Sequence, residues 1–143
     1  MKKLALATLP LLLSTGLALA QTPKEIALAG LDAVFVNPNP ERVKELFSPN
    51  YIQHNPMFPN GPETVIGFAT NPPPGFSYEI GNVIAEGDLV AVHFRVVGFG
   101  PKPMVGVDIL RIADGQIVEH WDVLQEEVTE TVSGNPMFTP ASK

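Results

Sequence analysis

VDILRIADGQIVEHWDVLQ, residues 107–125, decides the fold of this chain. Two extended, largely apolar runs flank the dipeptide Asp114-Gly115, which is the strongest short signal for a two-residue hairpin turn of type I′. The stretch therefore predicts two antiparallel strands. Within the first of them Asp108 interrupts an otherwise apolar face, which makes it the most anomalous residue of the sequence.

The sequence pattern of the chain changes near residue 76. The second half carries extended runs bounded by turn signals, at 76–86, 89–99, 104–113 and 116–128, and these predict an antiparallel meander.

The first half favours helices. Apolar residues at helical spacing predict a helix over 24–35, and a third short helix is expected from about residue 62 to 69. Between them, Asn39 can cap a short helix over 40–47, with Pro40 in its first turn. Helices followed by a meander are typical of an α+β domain.

Residues 1–20 have the build of a secretory signal peptide: two lysines, an uncharged apolar run, and Ala18-Leu19-Ala20 as a cleavage pattern. A retained membrane anchor is the alternative. Cleavage would leave residues 21–143 as a single domain, periplasmic or secreted and free of the membrane.

The composition excludes several classes of function. No cysteine is present, so neither disulfides nor a thiolate metal site can hold the fold. After residue 20, seven Lys and Arg stand against fifteen Asp and Glu, a net charge near −8 that argues against nucleic acid as a partner. The three histidines match no metal-binding spacing, so no metal is expected.

The hairpin sets a first register. If the turn has two residues, Asp108 lies opposite Trp121, while His120 and Asp122 face the other way. A one-residue bulge would reverse that assignment.

The corner at residues 98–103 sets a second register. A six-residue loop there would place His93 opposite Asp108 and Arg95 opposite Gly106. The two registers together predict a concave surface that holds His93, Asp108 and Trp121 among apolar groups.

A carboxyl group on such a surface is a candidate acid or base. Burial raises the pKa of a carboxyl, whereas a nearby imidazolium lowers it. A structural ion pair between Asp108 and His93 or Arg95 remains the alternative. His54, beside the turn signal Asn55-Pro56, is a second candidate, with a plain surface position as its alternative.

Three stretches resemble the SnoaL-like polyketide cyclase group of the nuclear-transport-factor-2-like (NTF2-like) superfamily, which includes predicted aldol-condensation enzymes. They are YIQHNP at 51–56, AVHFR at 91–95 and the hairpin itself at 107–125. The similarity extends over roughly residues 24–138. It implies a cone, in which a curved antiparallel sheet and N-terminal helices enclose an apolar pocket.

The resemblance also implies chemistry. Asp108 would act as general acid/base on a small hydrophobic carbonyl compound, without a cofactor, in an aldol cyclase, lyase or isomerase reaction. His93 and His54 would assist it. Substrate binding is expected of Trp121, Tyr51, Asn55 and Arg95, which would form one site with the catalytic residues.

Two alternatives remain open: a binding module that only holds a hydrophobic molecule, and a homodimeric interaction domain with a vestigial pocket. The resemblance also implies a homodimer. The tetrapeptide NPMF occurs at 55–58 and again at 135–138, where Met137 and Phe138 would cover an edge of the pocket or form a dimer contact.

Overall fold

The computed structural model describes residues 20–140 and confirms the α+β class. The helices are α1 (Pro23–Leu31), α2 (Pro40–Leu46) and α3 (Glu63–Thr70), and the strands are β1 (Phe47–Gln53), β2 (Ser77–Glu86), β3 (Leu89–Val97), β4 (Met104–Ala113) and β5 (Gln116–Glu126). The predicted signal peptide lies outside the described residues except for Ala20. None of the helices within residues 20–140 is long and apolar enough to cross a bilayer.

The five strands form one curved sheet in the order β1-β5-β4-β3-β2. Strands β2 to β5 are the predicted antiparallel meander. Strand β1 precedes the meander in the sequence, and it pairs with β5 in parallel. This addition makes β1 and β2 the two edges of the sheet.

The first predicted helix is divided into two parts. Helix α1 begins with a capping box, in which the Thr22 hydroxyl accepts from the Glu25 backbone N–H and the Glu25 carboxylate accepts from the Thr22 N–H. A π-helical segment, Asp32–Val36, follows it. There the Asn37 N–H donates to the Asp32 carbonyl oxygen at 2.8 Å.

The Asp114-Gly115 turn is confirmed. Ala113 pairs with Gln116, and Asp114 and Gly115 have φ of 49° and 78°, both in the left-handed region that a type I′ turn requires.

A bulge follows immediately in β5. Ile112 pairs with Ile117, but Arg111 pairs with Glu119, so Val118 is the extra residue. Beyond it Asp108 lies opposite Asp122 instead of Trp121. The predicted register is therefore wrong from this point.

The register between β3 and β4 also differs from the prediction by one residue. Val96, and not Val97, pairs with Met104, because the connecting loop is one residue longer than expected. Val92 consequently lies opposite Asp108, and His93 lies opposite Val107 on the other face of the sheet.

The hydrophobic core lies between the helices and one face of the sheet, which we call the inner face. On β3 it takes the alternate residues Val90, Val92, Phe94 and Val96, as the sequence pattern predicts. The other face of the sheet is the outer face.

Candidate active site

A pocket of about 700 Å³, part of it open to solvent, lies between the helices and the inner face. Its walls are mostly aromatic and aliphatic, and the aromatic residues that line it are Phe35, Phe47, Tyr51, Phe58, Phe68, Tyr78, Phe94 and Phe99. The titratable groups Asp108, His120 and Asp122 line the same pocket. Within residues 20–140, no Lys or Arg lines it.

Asp108 is the buried charged residue of this pocket, with 5% of its surface exposed. The Tyr78 hydroxyl donates a hydrogen bond to its Oδ2 atom at 2.5 Å. The Nε2 atom of His120 lies 3.0 Å from its Oδ1 atom. Both oxygens of the carboxyl group therefore have a partner that can give or take a proton.

Tyr78 is held in place by aromatic stacking. Its ring lies between those of Phe35 and Phe94, with centroid distances of 4.9 Å and 4.8 Å. Phe35 comes from the π-helical segment, a kind of helix defect that is frequent at functional sites. Burial, followed by the charge of Asp108, raises the pKa of Tyr78, so its hydroxyl remains a neutral donor.

The end of β1 and the turn after it support the other polar groups. Gln53 Oε1 lies 2.8 Å from His120 Nδ1. The Asn55 side-chain amide lies 3.0 Å and 2.7 Å from the two carboxylate oxygens of Asp122, and its own carbonyl oxygen accepts from the Met57 N–H at 2.8 Å. The turn therefore brings Asn55, and not His54, to a carboxylate that lines the pocket.

Tyr51, a predicted substrate-binding residue, lines the pocket. It is 3% exposed, and its ring faces that of His120 at 6.5 Å. Burial raises the pKa of its phenol, and the charges of Asp108 and Asp122 raise it further.

His93 and Arg95 do not line the pocket, and their predicted positions are wrong. The register of β3 places both on the outer face. The His93 ring lies 5.4 Å from that of Phe138. Arg95 forms ion pairs with Glu127 at 2.7 Å and Glu79 at 3.1 Å.

His54 and Trp121 also lie on the outer face, so their predicted places at the pocket are wrong as well. Their rings stack with centroids 4.7 Å apart and planes within 4°. His54 Nε2 lies 2.9 Å from Glu119 Oε1, and Arg111 lies over Trp121. The hydrogen bond to His54, and then that to Arg111, lowers the pKa of Glu119. This group is a surface ion-pair cluster, since the bulge turns Glu119 and Trp121 outward.

The two NPMF copies serve different faces. Phe58 lines the pocket, whereas Phe138 is buried on the outer face against Gly81 and His93. Phe138 therefore does not cover an edge of the pocket.

Asp108, His120 and Asp122 each offer one donor atom within 4.8 Å of the others, and these are the residues that could hold a cation. His120 Nε2 and Asp108 Oδ1 are, however, at hydrogen-bond distance from one another. Two groups at this distance can share a proton.

Sequence reasoning missed four contributors to the site: Gln53, Tyr78, His120 and Asp122. For the last two a signal existed. Ile117 and Val118 are adjacent apolar residues that break the alternation of β5, and such a break is typical of a bulge.

Residues 29–120 match the family described as the SnoaL-like domain. No curated protein sequence matches.

Several solved structures share the fold. A loop-truncation variant of IdmH is 26% identical, with a TM-score of 0.57, over 72% of this chain and 92% of that one. Wild-type IdmH is a candidate polyketide cyclase from Streptomyces antibioticus.

A candidate ketosteroid isomerase from Kribbella flavida is 20% identical, with a TM-score of 0.62, over 73% of this chain and 78% of that one. An NTF2-like protein from Cytophaga hutchinsonii is 18% identical, with a TM-score of 0.62, over 73% and 90%. These two show the fold alone. The predicted NTF2-like architecture is confirmed, and because the family match spans more than half of the sequence, the chain belongs to the SnoaL-like domain family.

Proposed function

We propose that this protein is a cofactor-independent acid/base enzyme that moves a proton on a small carbonyl compound. One observation carries the proposal: Asp108 is buried in an aromatic pocket with the Tyr78 hydroxyl and His120 Nε2 at 2.5 Å and 3.0 Å from its two oxygens. A carboxylate in this position can accept a proton from the carbon next to a carbonyl and return it elsewhere.

The neighbours of Asp108 take the supporting roles. Once Asp108 has accepted the proton, the neutral Tyr78 phenol and a protonated Nε2 of His120 can turn their hydrogen bonds from Asp108 to the oxygen of the developing enolate, which is where negative charge appears. His120 thus replaces His93 and His54 as the assisting histidine. Tyr51 and the aromatic walls hold the hydrophobic body of the substrate.

The charge of the pocket favours an uncharged substrate. Two carboxyl groups, Asp108 and Asp122, line it together with one histidine, and no cationic Lys or Arg side chain does so among the described residues. An anionic substrate would therefore be repelled. A neutral, hydrophobic ketone or aldehyde fits both the charge and the apolar walls.

The experiment is deuterium exchange. The chain from Gln21 onward is incubated in deuterated water with a panel of uncharged ketones and aldehydes, and incorporation next to the carbonyl is followed by mass spectrometry. Asp108→Asn should lower the exchange rate by about 10²- to 10⁴-fold, the usual contribution of a general acid/base.

Glu126→Gln is the matched control, because Glu126 is exposed at the end of β5 and pairs with Lys102 away from the pocket. It should exchange like the wild type. Exchange by Asp108→Asn at the wild-type rate would remove Asp108 from the mechanism.

A second candidate function is a binding module. It is favoured by the fact that both Asp108 oxygens already have hydrogen-bond partners, as a purely structural carboxyl would. In that case hydrophobic compounds would raise the Tm of wild type and Asp108→Asn alike, and none of the panel would exchange deuterium.

We also propose that the chain is exported, because residues 1–20 have the pattern of a signal peptide. Protein recovered from the periplasm or the medium of an expressing bacterium should then begin at Gln21. Recovery only from the cytoplasm, with Met1 retained, would contradict export.

The proposal also includes a homodimer formed through the outer face. Ile84, Ile109 and Val123 lie on that face with 69%, 36% and 71% of their surface exposed. Apolar groups collected on one face of a sheet favour association. The occupant we propose is a second copy of this chain.

A further inference from the structure

The two ring nitrogens of His120 have different partners. Nδ1 lies 2.8 Å from Gln53 Oε1, and Nε2 lies 3.0 Å from Asp108 Oδ1. Only 12% of the His120 side chain is exposed, so these contacts decide where its protons lie. A neutral imidazole carries one N–H, and its position is set by the bond that the other nitrogen makes.

The orientation of the Gln53 amide is fixed by the backbone. The Asn55 N–H, which can only donate, points to Gln53 Oε1 at 2.9 Å. The atom at this position must therefore be the carbonyl oxygen and not the amide nitrogen. The amide nitrogen of Gln53 is turned toward the Tyr51 hydroxyl, at 3.4 Å.

A carbonyl oxygen can only accept, so the His120 nitrogen next to it must donate. We infer that Gln53 is a positioning residue that holds His120 in the Nδ1–H form and leaves Nε2 as the nitrogen that exchanges a proton with Asp108. One proton then lies between Nε2 and Asp108 Oδ1, either as carboxylic acid and neutral imidazole or as carboxylate and imidazolium.

The other polar groups that face His120 and Asp108 are already engaged in hydrogen bonds or remain protonated. His120 and Asp108 are therefore the two groups that exchange a proton. Tyr78 donates to the second oxygen of Asp108, and the Asn55 amide occupies the carboxylate of Asp122. The Tyr51 ring faces His120, and its phenol remains protonated because burial raises its pKa. Residues of β1 and of the turn after it thus determine where the protons of the site lie, although the acid, Asp108, is on β4.

This inference deepens the proposed function, because it identifies the group that exchanges protons with Asp108. The tautomer itself is a property of the resting protein and can be measured without a substrate. A wrong tautomer would overturn the inference and leave the role of Asp108 intact. Deuterium exchange by Asp108→Asn at the wild-type rate would overturn the proposed function and leave the tautomer assignment intact.

The test is ¹⁵N NMR of the protein labelled at its three histidines, assigned with His54→Gln and His93→Gln. His120 Nδ1 should keep the ¹⁵N shift of a protonated nitrogen throughout the pH range in which the protein is folded. An unprotonated Nδ1 in the wild type would overturn the inference, whatever the variants do.

Two variants at position 53 separate positioning from packing. Gln53→Met has a similar shape without the acceptor and should lose the single tautomer, so that both neutral forms are seen. Gln53→Glu restores an acceptor and should restore protonated Nδ1. Gln116→Met, which removes a glutamine bonded to the Glu45 carbonyl at the surface, is the matched control and should leave His120 unchanged. An unchanged His120 in Gln53→Met would overturn the inference.

Discussion

At the scale of single residues, the two tyrosines give a direct test of the pocket. Tyr51 and Tyr78 are the only tyrosines of the chain, and both are buried beside Asp108. Burial is the largest cause of their raised pKa values, and the neighbouring carboxylates add to it. We expect no tyrosinate absorbance from the folded protein at pH values near 10, where phenols ordinarily titrate.

The same shifts predict how stability depends on pH. Above about pH 10 the unfolded chain releases the phenol protons while the folded chain retains them, so the free energy of unfolding must fall as the pH rises. Below that pH this contribution is intact. Urea unfolding between neutral and alkaline pH should show the decrease, and Tyr78→Phe should make it shallower. A native tyrosine that titrates with an ordinary pKa would contradict the buried site.

Residue chemistry explains why the sequence identified Asp108 and not its partners. A charged residue in an apolar stripe is visible in one strand alone. Tyr78 is an ordinary residue for a strand, and its importance arises only because β2 and β4 bring it to Asp108 across β3. Gln53 is equally ordinary until β1 pairs with β5.

At the scale of the elements, two glycines should respond in opposite directions to the same added methyl group. Gly115, in the β4–β5 turn, has a φ of 78°, whereas Gly67 lies inside α3, and neither would bring a new Cβ within 4 Å of another atom. Gly115→Ala should lower the free energy of unfolding by about 1–2 kcal/mol, because the left-handed conformation is costly for alanine.

Gly67→Ala should raise the free energy of unfolding by about 0.5–1 kcal/mol, because alanine loses less conformational entropy in a helix. Urea titrations of the two variants and the wild type measure both effects. Equal signs would show that the backbone conformation of one of these positions is not as described.

The elements themselves were largely predictable from the sequence, and their pairing was not. Period-two alternation, the Asp114-Gly115 turn and the Asn39 cap are local signals, and all three are confirmed. The bulge at Val118 and the extra residue in the β3–β4 loop each shift a register by one. Because side chains alternate between faces, each shift moves a full set of side chains to the other face. For this reason His120 lies in the pocket and His93 does not, contrary to the prediction.

At the scale of the whole molecule, the sheet separates two kinds of surface. The inner face holds the pocket with its buried carboxyl and aromatic walls, and the outer face carries ion pairs around a stacked His54 and Trp121. The sequence shows the acidic composition of the chain. It does not show that, within residues 20–140, no Lys or Arg lines the pocket. The strand registers determine that distribution. They also place Ile84, Ile109 and Val123 on the outer face, where these residues form an apolar patch.

This patch determines how we expect the chain to assemble. The chain from residue 21 carries a net charge near −8, so two copies repel one another and the apolar contact has to offset that repulsion. Light scattering of the wild type should give twice the mass of one chain, and added salt should strengthen the dimer by screening the repulsion.

Val123→Glu buries a charge in the contact and should give the mass of one chain. Val36→Glu makes the same change at an exposed residue of the helical layer and should remain dimeric. A monomeric wild type would exclude the dimer, and dissociation by Val36→Glu alone would move the contact to the helices.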